Sequence, residues 1–243
     1  MSVAAADPPV VLVHGWGGSF ATTWQRSGFT ALLEDAGRRI VGVDLLGHGS
    51  APKPHDPAAY SALPEHLLGQ LPPASEGPVD AVGFSMGAMT LLRVALAHPQ
   101  RFNRLVLAGI GRNVFERDDE SKQRIVAAIQ GGAATGDTPT GEPVDNQARL
   151  FAQYAEQSGN DPLALVAVMQ APPAPPLDDA DLAAITCPVL VAVGADDFVL
   201  PADRLVDALP NARFVSLPRT DHFATPESFG LWDAVLDFLG AGI

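Results

Sequence analysis

Gly83-Phe84-Ser85-Met86-Gly87 places a serine between two glycines, directly after the aliphatic run Val79 to Val82 and at the head of an apolar-periodic stretch reaching Ala97. In a strand-turn-helix context this spacing forces a sharp turn that exposes the serine oxygen, the position of a nucleophile. A serine hydroxyl attacks only when a nearby base removes its proton, so a histidine must come from elsewhere in the chain. There are six histidines. His14 and His48 follow the first two aliphatic runs in His-Gly turns and shape loops, His98 lies at the far end of the helix that Ser85 begins, and His55 and His66 lie in a Pro-rich polar region and read as exposed. His222, in Asp221-His222-Phe223 after the last run, remains. An acid to orient it belongs on a neighbouring loop between serine and histidine in chain order, and Gly194-Ala195-Asp196-Asp197 supplies two adjacent carboxylates there. Acyl transfer also needs two backbone donors aimed at the carbonyl oxygen. The amide of Met86, at a helix N-terminus, is one, and that of Trp16, in His14-Gly15-Trp16-Gly17-Gly18, is the other. A phosphate-binding reading of that glycine-rich turn is disfavoured, because neither G-x-G-x-x-G nor G-K-[ST] is present.

The elements that must position these residues are legible as short runs bounded by Gly, Pro or Asp: Val10 to Val13, Ile40 to Val43, Val79 to Val82, Leu105 to Leu107, Val189 to Val193 and Phe214 to Leu217. Continuous rather than alternating hydrophobicity predicts strands buried on both faces of a parallel sheet. Helical spacing falls between them, over Phe29 to Ala36, Met86 to Ala97, Ala202 to Leu209 and Glu227 to Leu239, with Pro201 and Pro226 as first-turn prolines. The expected fold is therefore α/β, a mostly parallel central sheet of about six strands flanked by helices. From Asn113 to Asp181 the alternation stops. Helices are expected over Asp118 to Gln130, Val144 to Gln157 and Leu163 to Gln170, and Ala171 to Pro176 is a stiff return to the sheet. The chain thus divides into a core of residues 1–112 and 182–243 and a helical lid of residues 113–181.

With 243 residues, 47% of them hydrophobic and 18% charged, the chain reads as one domain with an insertion. No apolar run approaches the ~18 residues of a membrane span, and Met1 to Pro9 carries neither Lys nor Arg. The expectation is a soluble, cytoplasmic protein. A net charge of −13 disfavours nucleic acid and anionic membranes as partners and leaves a small or neutral molecule. The single cysteine, Cys187, excludes an intramolecular disulfide and a multi-cysteine zinc site, and its place before an apolar run reads as a structural thiol.

These segments in this order resemble the α/β-hydrolase superfamily, its capped esterase and lipase group: His14 to Gly18, Asp44-Leu45-Leu46-Gly47-His48-Gly49-Ser50, the serine turn, Gly194 to Asp197, and Asp221-His222. The His-Gly-Trp-Gly turn is similar to that of pimeloyl-carrier methyl-ester esterases. Two departures stand out: the chain starts at what would be the family's third strand, an N-terminal shortening, and Pro52 to Pro78 is short and Pro-rich where a longer helix is usual. The resemblance implies a Ser85, Asp197, His222 triad with an oxyanion hole from the Trp16 and Met86 amides. Asp197 is the acid because it stands three places after the glycine closing its strand, leaving Asp196 to face solvent. It implies cleavage of small to medium apolar esters through an acyl-enzyme, with no metal or organic cofactor. Serine at the turn argues against haloalkane dehalogenase and epoxide hydrolase chemistry. Phe115, Phe151, Tyr154, Met169 and Phe223 are the expected substrate contacts, and Ile125, Ile129, Leu163 and Val166 join the lid's apolar roof. An acidic carrier protein is disfavoured, since Arg112 to Asp181 holds five basic against twelve acidic residues. Alternatives are a cofactor-free perhydrolase, a carbon-carbon bond hydrolase, a small-molecule thioesterase and, from another class, a non-catalytic ligand receptor on the same fold.

Overall fold

Six short aliphatic segments build one parallel sheet in the computed structural model, which describes residues 7–131 and 145–241. In chain order the elements are β1 (Val10–Val13), α1 (Phe29–Asp35), β2 (Ile40–Val43), α2 (Leu63–Leu68), β3 (Val79–Phe84), α3 (Met86–Ala97) and β4 (Phe102–Ala108). Four helices follow: α4 (Asp119–Gln130), α5 (Asn146–Ala155), α6 (Pro162–Met169) and α7 (Asp179–Leu182). The chain then returns to the sheet with β5 (Val189–Gly194), α8 (Asp203–Ala208), β6 (Ala212–Leu217) and α9 (Phe229–Leu239). Every strand pairing is parallel, in the order β2-β1-β3-β4-β5-β6.

Alternate residues of each inner strand enter opposite layers. Val11, Val13, Ala81, Leu105, Leu107 and Val191 pack with Leu67, Leu91, Leu92 and Leu205 of α2, α3 and α8. Val10, Leu12, Val82, Val106 and Leu190 pack with Trp24, Phe29, Leu33 and Leu231 on the side of α1 and α9. Burial on both faces explains why these strands read as unbroken hydrophobic runs. The edge strands are different: β2 is only half-buried and Phe214 of β6 is 42% exposed, so the expectation of two-faced burial fails there.

Each of α4, α5, α6 and α7 is started by an aspartate. Asp118, Asp145, Asp161 and Asp178 accept hydrogen bonds from backbone amides of the first turns, and Asp178 forms a reciprocal box with Asp181. Much of the negative charge between β4 and β5 therefore serves helix capping, and Asp118 stands before α4 rather than inside it. Ile125 and Ala128 of α4 interlock with Ala148 and Ala152 of α5. Leu163, expected in the roof, is 61% exposed, because it lies on the outer side of α6. Val144, the expected start of the second helix, lies outside the described residues. Pro201 precedes the N-cap Ala202, and Pro226 sits in a separate 3-10 turn (Thr225–Glu227), so neither is in a first α-turn. The Pro-rich stretch does hold a short helix, α2.

At the amino end of the sheet, Asp80 is fully buried between Arg38 and Asn103, and Arg38 also donates to the carbonyls of Pro8 and Leu239. This ties β3, β4 and the carboxyl end of α9 together, far along the strands from their carboxyl ends. Among the described residues no helix is long and apolar enough to cross a membrane.

Candidate active site

The strand order reverses direction between β1 and β3, which pair with Val13 opposite Gly83. At such a switch point the loops leaving the two carboxyl ends diverge and open a crevice. The turn after β1 is His14 to Gly18 and the turn after β3 is Ser85, so pairing alone sets them side by side.

Ser85 has φ 51°, ψ −114°, a left-handed conformation that a serine adopts only when its surroundings impose it. The flanking glycines show what imposes it. A Cβ on Gly87 would lie 2.4 Å from the His14 carbonyl oxygen, and one on Gly83 would lie 2.7 Å from the backbone of Ala88. The Ser85 amide donates to Ala108 O at 2.8 Å, anchoring the turn to β4. Its hydroxyl lies 2.9 Å from His222 Nε2. On the other side of the ring, His222 Nδ1 lies 3.0 and 2.9 Å from the two carboxylate oxygens of Asp197. Asp197 also accepts from the Val199 amide at 3.0 Å, and both it and His222 are 4% exposed. Gly194 lets the two loops meet, for a Cβ there would fall 2.1 Å from Thr220 O. Asp196 is exposed, and its amide bonds Thr220 O at 3.0 Å. The structure thus brings Ser85, His222 and Asp197 into one hydrogen-bonded line and leaves Asp196 in solvent.

Beside the serine, a Cβ placed on Gly15 would lie 3.3 Å from the Ser85 Cβ and 2.7 Å from the Phe84 ring. The amides of Trp16 and Met86 have no hydrogen-bond partner among the described residues. His14 orients the first of them. Its Nδ1 donates to Gly15 O at 2.7 Å while its Nε2 accepts from the Leu45 amide at 3.1 Å, which fixes a neutral ring with the proton on Nδ1. In a trans peptide the carbonyl and the following N–H point opposite ways, so the Trp16 N–H is turned away from His14.

His48 lies beside His14, its ring tilted against it with centroids 5.1 Å apart, and donates from Nδ1 to Leu46 O at 3.0 Å. Burial, then the neighbouring His14 ring, pushes its pKa down from 6.5 to about 3; Asp44 and the Leu46 carbonyl oppose this and Lys53 adds to it. Burial lowers His14 as well. Below pH ~6.5 the unfolded chain binds a proton at residue 48 that the folded chain refuses. Stability held above that pH is lost as pH falls towards 3, by up to ~1.4 kcal/mol per pH unit for each such group. Urea midpoints between pH 6 and 4 are expected to fall less steeply in His48→Gln than in wild type; an equal slope contradicts the assignment.

Aromatic rings surround the histidine. Phe84 and Phe198 lie 5.0 and 4.4 Å from the His222 ring centroid. Phe223 lies 5.3 Å from both Phe151 and Tyr154, and Phe151 lies 5.3 Å from Trp16. Met169 borders Phe151 and Phe198 in a cavity of about 440 Å³ between the helical segment and the Asp197 to Val199 loop, with Ile125 in its wall and Arg112 and Lys122 at its edge. Phe151, Tyr154 and Phe223 are therefore gathered between Trp16 and His222, whereas Met169 lines a cavity that adjoins the His222 ring only through Phe198. Phe115 is in neither place: it packs below, its ring 3.9 Å from the Arg204 guanidinium. Phe84 and Phe198 join the site through the His222 ring, and the signal for each in the sequence is only its place next to Ser85 and Asp197.

A model of the Alpha/beta hydrolase family matches residues 10–229. RutD of Caulobacter sp. (strain K31), provisionally named a carbamate hydrolase, is 30% identical over 250 aligned positions, covering 95% of this chain and 90% of that protein. The mouse sn-1-specific diacylglycerol lipase ABHD11 is 38% identical over 106 residues, 44% of this chain but only 34% of the lipase. Among solved structures, the enol-lactonase from Burkholderia xenovorans LB400 superposes with a TM-score of 0.74 at 21% identity, covering 96% of this chain and 92% of that one, a likeness of fold.

Proposed function

The chain belongs to the alpha/beta hydrolase family, and on that premise we propose that it is a serine hydrolase of carboxylic esters with an apolar acyl or alcohol group. The observation that carries the reading is the unbroken relay from the Asp197 carboxylate through His222 to a serine held at positive φ beside two unpartnered amides. His222 Nε2 takes the Ser85 proton as Oγ bonds to the ester carbonyl carbon. The negative charge formed on the carbonyl oxygen is received by the Trp16 and Met86 amides, and Asp197 stabilises the imidazolium. Collapse breaks the bond to the alkoxy group, which leaves with the histidine's proton. Water then repeats the sequence on the acyl-enzyme and restores Ser85, so the balance closes with water as the only co-reactant. The described helices between β4 and β5 act as the lid, with Phe151 and Tyr154 packed on Phe223 beside His222 and Met169 lining the adjoining cavity. Apolar rings at that place favour a small apolar ester over a sugar or an acidic carrier protein. The naming of the mouse relative as a lipase points the same way.

A fluorophosphonate probe run beside an ester panel of graded acyl length tests the reading. Stoichiometric labelling of Ser85 with turnover of the shorter apolar esters is the expected result. Folded protein that neither labels nor cleaves any ester would instead make this fold a ligand receptor.

A further inference from the structure

The turn that carries the Trp16 amide contains glycines at 15, 17 and 18, and Gly17 holds φ 72°. The turn closes on itself through one hydrogen bond, from the Gly18 amide to Gly15 O at 3.2 Å, but with three glycines it keeps little further conformational preference, so the direction of its N–H depends on what holds it from outside. His14 grips it from the core side through Gly15 O. The grip from the opposite side comes from the helical segment. Asn160, in the connection between α5 and α6, donates from Nδ2 to Gly17 O and to Tyr154 O, both at 2.8 Å. Both partners are carbonyls, so only the amide NH2 satisfies them, and its orientation is settled by the chemistry. The Trp16 indole adds a second tie, donating to Leu165 O at 3.2 Å. The Trp16 N–H thus sits in a short turn held at two places: His14 grips Gly15 O in its own peptide unit, and Asn160 grips Gly17 O two peptide units on.

We propose that Asn160 is a positioning residue for the oxyanion hole: by fastening Gly17 O to the helical segment it holds the Trp16 N–H at the place where charge develops. The inference rests on the esterase reading and adds to it that the helical segment completes the transition-state site as well as covering it. Loss of an oxyanion donor costs ~10² to 10³ in rate, and misplacement by about an ångström costs ~10². Losing the grip on Gly17 should therefore leave ground-state binding nearly unchanged and lower the chemical step.

Asn160→Asp, near-isosteric but without the donors, and Asn160→Ala, which adds no charge, are compared with wild type on p-nitrophenyl acetate, an ester too short to reach most of the helical segment. Circular dichroism verifies that each is folded, and the alanine variant carries the test if the aspartate variant is not. The expected result is a kcat lower by roughly 10- to 100-fold with KM within about threefold. Affinity for a trifluoromethyl ketone, whose adduct with Ser85 bears the oxyanion, should fall in parallel with kcat/KM, while affinity for a non-covalent alcohol analogue should not change. Unchanged kcat, a raised KM alone, or ketone affinity that does not follow kcat/KM overturns the role of Asn160. Wild-type protein that neither labels at Ser85 nor cleaves the ester overturns the esterase reading itself, and the inference with it.

Discussion

Ser85→Ala is expected to reduce ester turnover by about 10⁶-fold in kcat and to abolish fluorophosphonate labelling while the protein remains folded. The size follows from non-additivity: with the nucleophile gone, histidine and acid have nothing to activate, and only the oxyanion donors and binding surface still act on a water molecule. The fold should survive because the backbone, not the hydroxyl, makes the turn. The anchoring contacts are the Ser85 amide to Ala108 O and the Met89 amide to Ser85 O, both kept by alanine. The hydroxyl donates its hydrogen bond to His222 Nε2, and because Ser85 is half-buried a water molecule can take the vacated place while Asp197 still holds the ring. Alanine is also no worse placed than serine at φ 51°, since each carries a Cβ. Thermal midpoint and ester turnover, measured on the same preparation, check both halves. Turnover within a factor of ten of wild type, or labelling that moves to another serine, removes Ser85 as the nucleophile.

The serine turn and the inner strands were legible because their causes are local. A strand buried on both faces needs consecutive apolar residues, and β1 and β5 have them; a turn as tight as that at Ser85 admits only glycine at 83 and 87, and both are there. His222 emerged by elimination, and His55 and His66 are indeed exposed. What stayed hidden depends on contacts between segments far apart in sequence. Nothing around Asn160 announces that it reaches Gly17, 143 residues away, and a polar residue before an Asp-Pro helix start reads as an ordinary turn. The buried Asp80 is similar: it falls inside the Val79 to Val82 run, and nothing near it in sequence announces that Arg38 and Asn103 close around it. Phe115 failed for the opposite reason. Its apolar character promised a roof, but the 3-10 turn at Arg112–Val114 directs it towards α8, where Arg204 covers it.

The adjacent pair Asp196 and Asp197 gives the sharpest remaining test, because the two differ in surroundings far more than in sequence. Both oxygens of Asp197 face His222 Nδ1, and Oδ1 also accepts from the Val199 amide. An asparagine there has one oxygen for two donors. Whichever way its amide turns, an NH2 group meets either the Val199 N–H or the protonated Nδ1, and the imidazole escapes by moving its proton to Nε2. A ring protonated at Nε2 cannot accept the Ser85 proton, so Asp197→Asn should lose roughly 10⁴-fold in kcat. Asp196 is exposed, and its contact with the histidine loop runs through its backbone amide to Thr220 O, which asparagine keeps. Asp196→Asn should therefore stay within about threefold of wild type in kcat/KM, below ~0.7 kcal/mol of transition-state stabilisation. Parallel kcat/KM measurements on the two variants decide it: a crippled Asp196→Asn beside an active Asp197→Asn would move the acid one residue back and leave Ser85 and His222 in place.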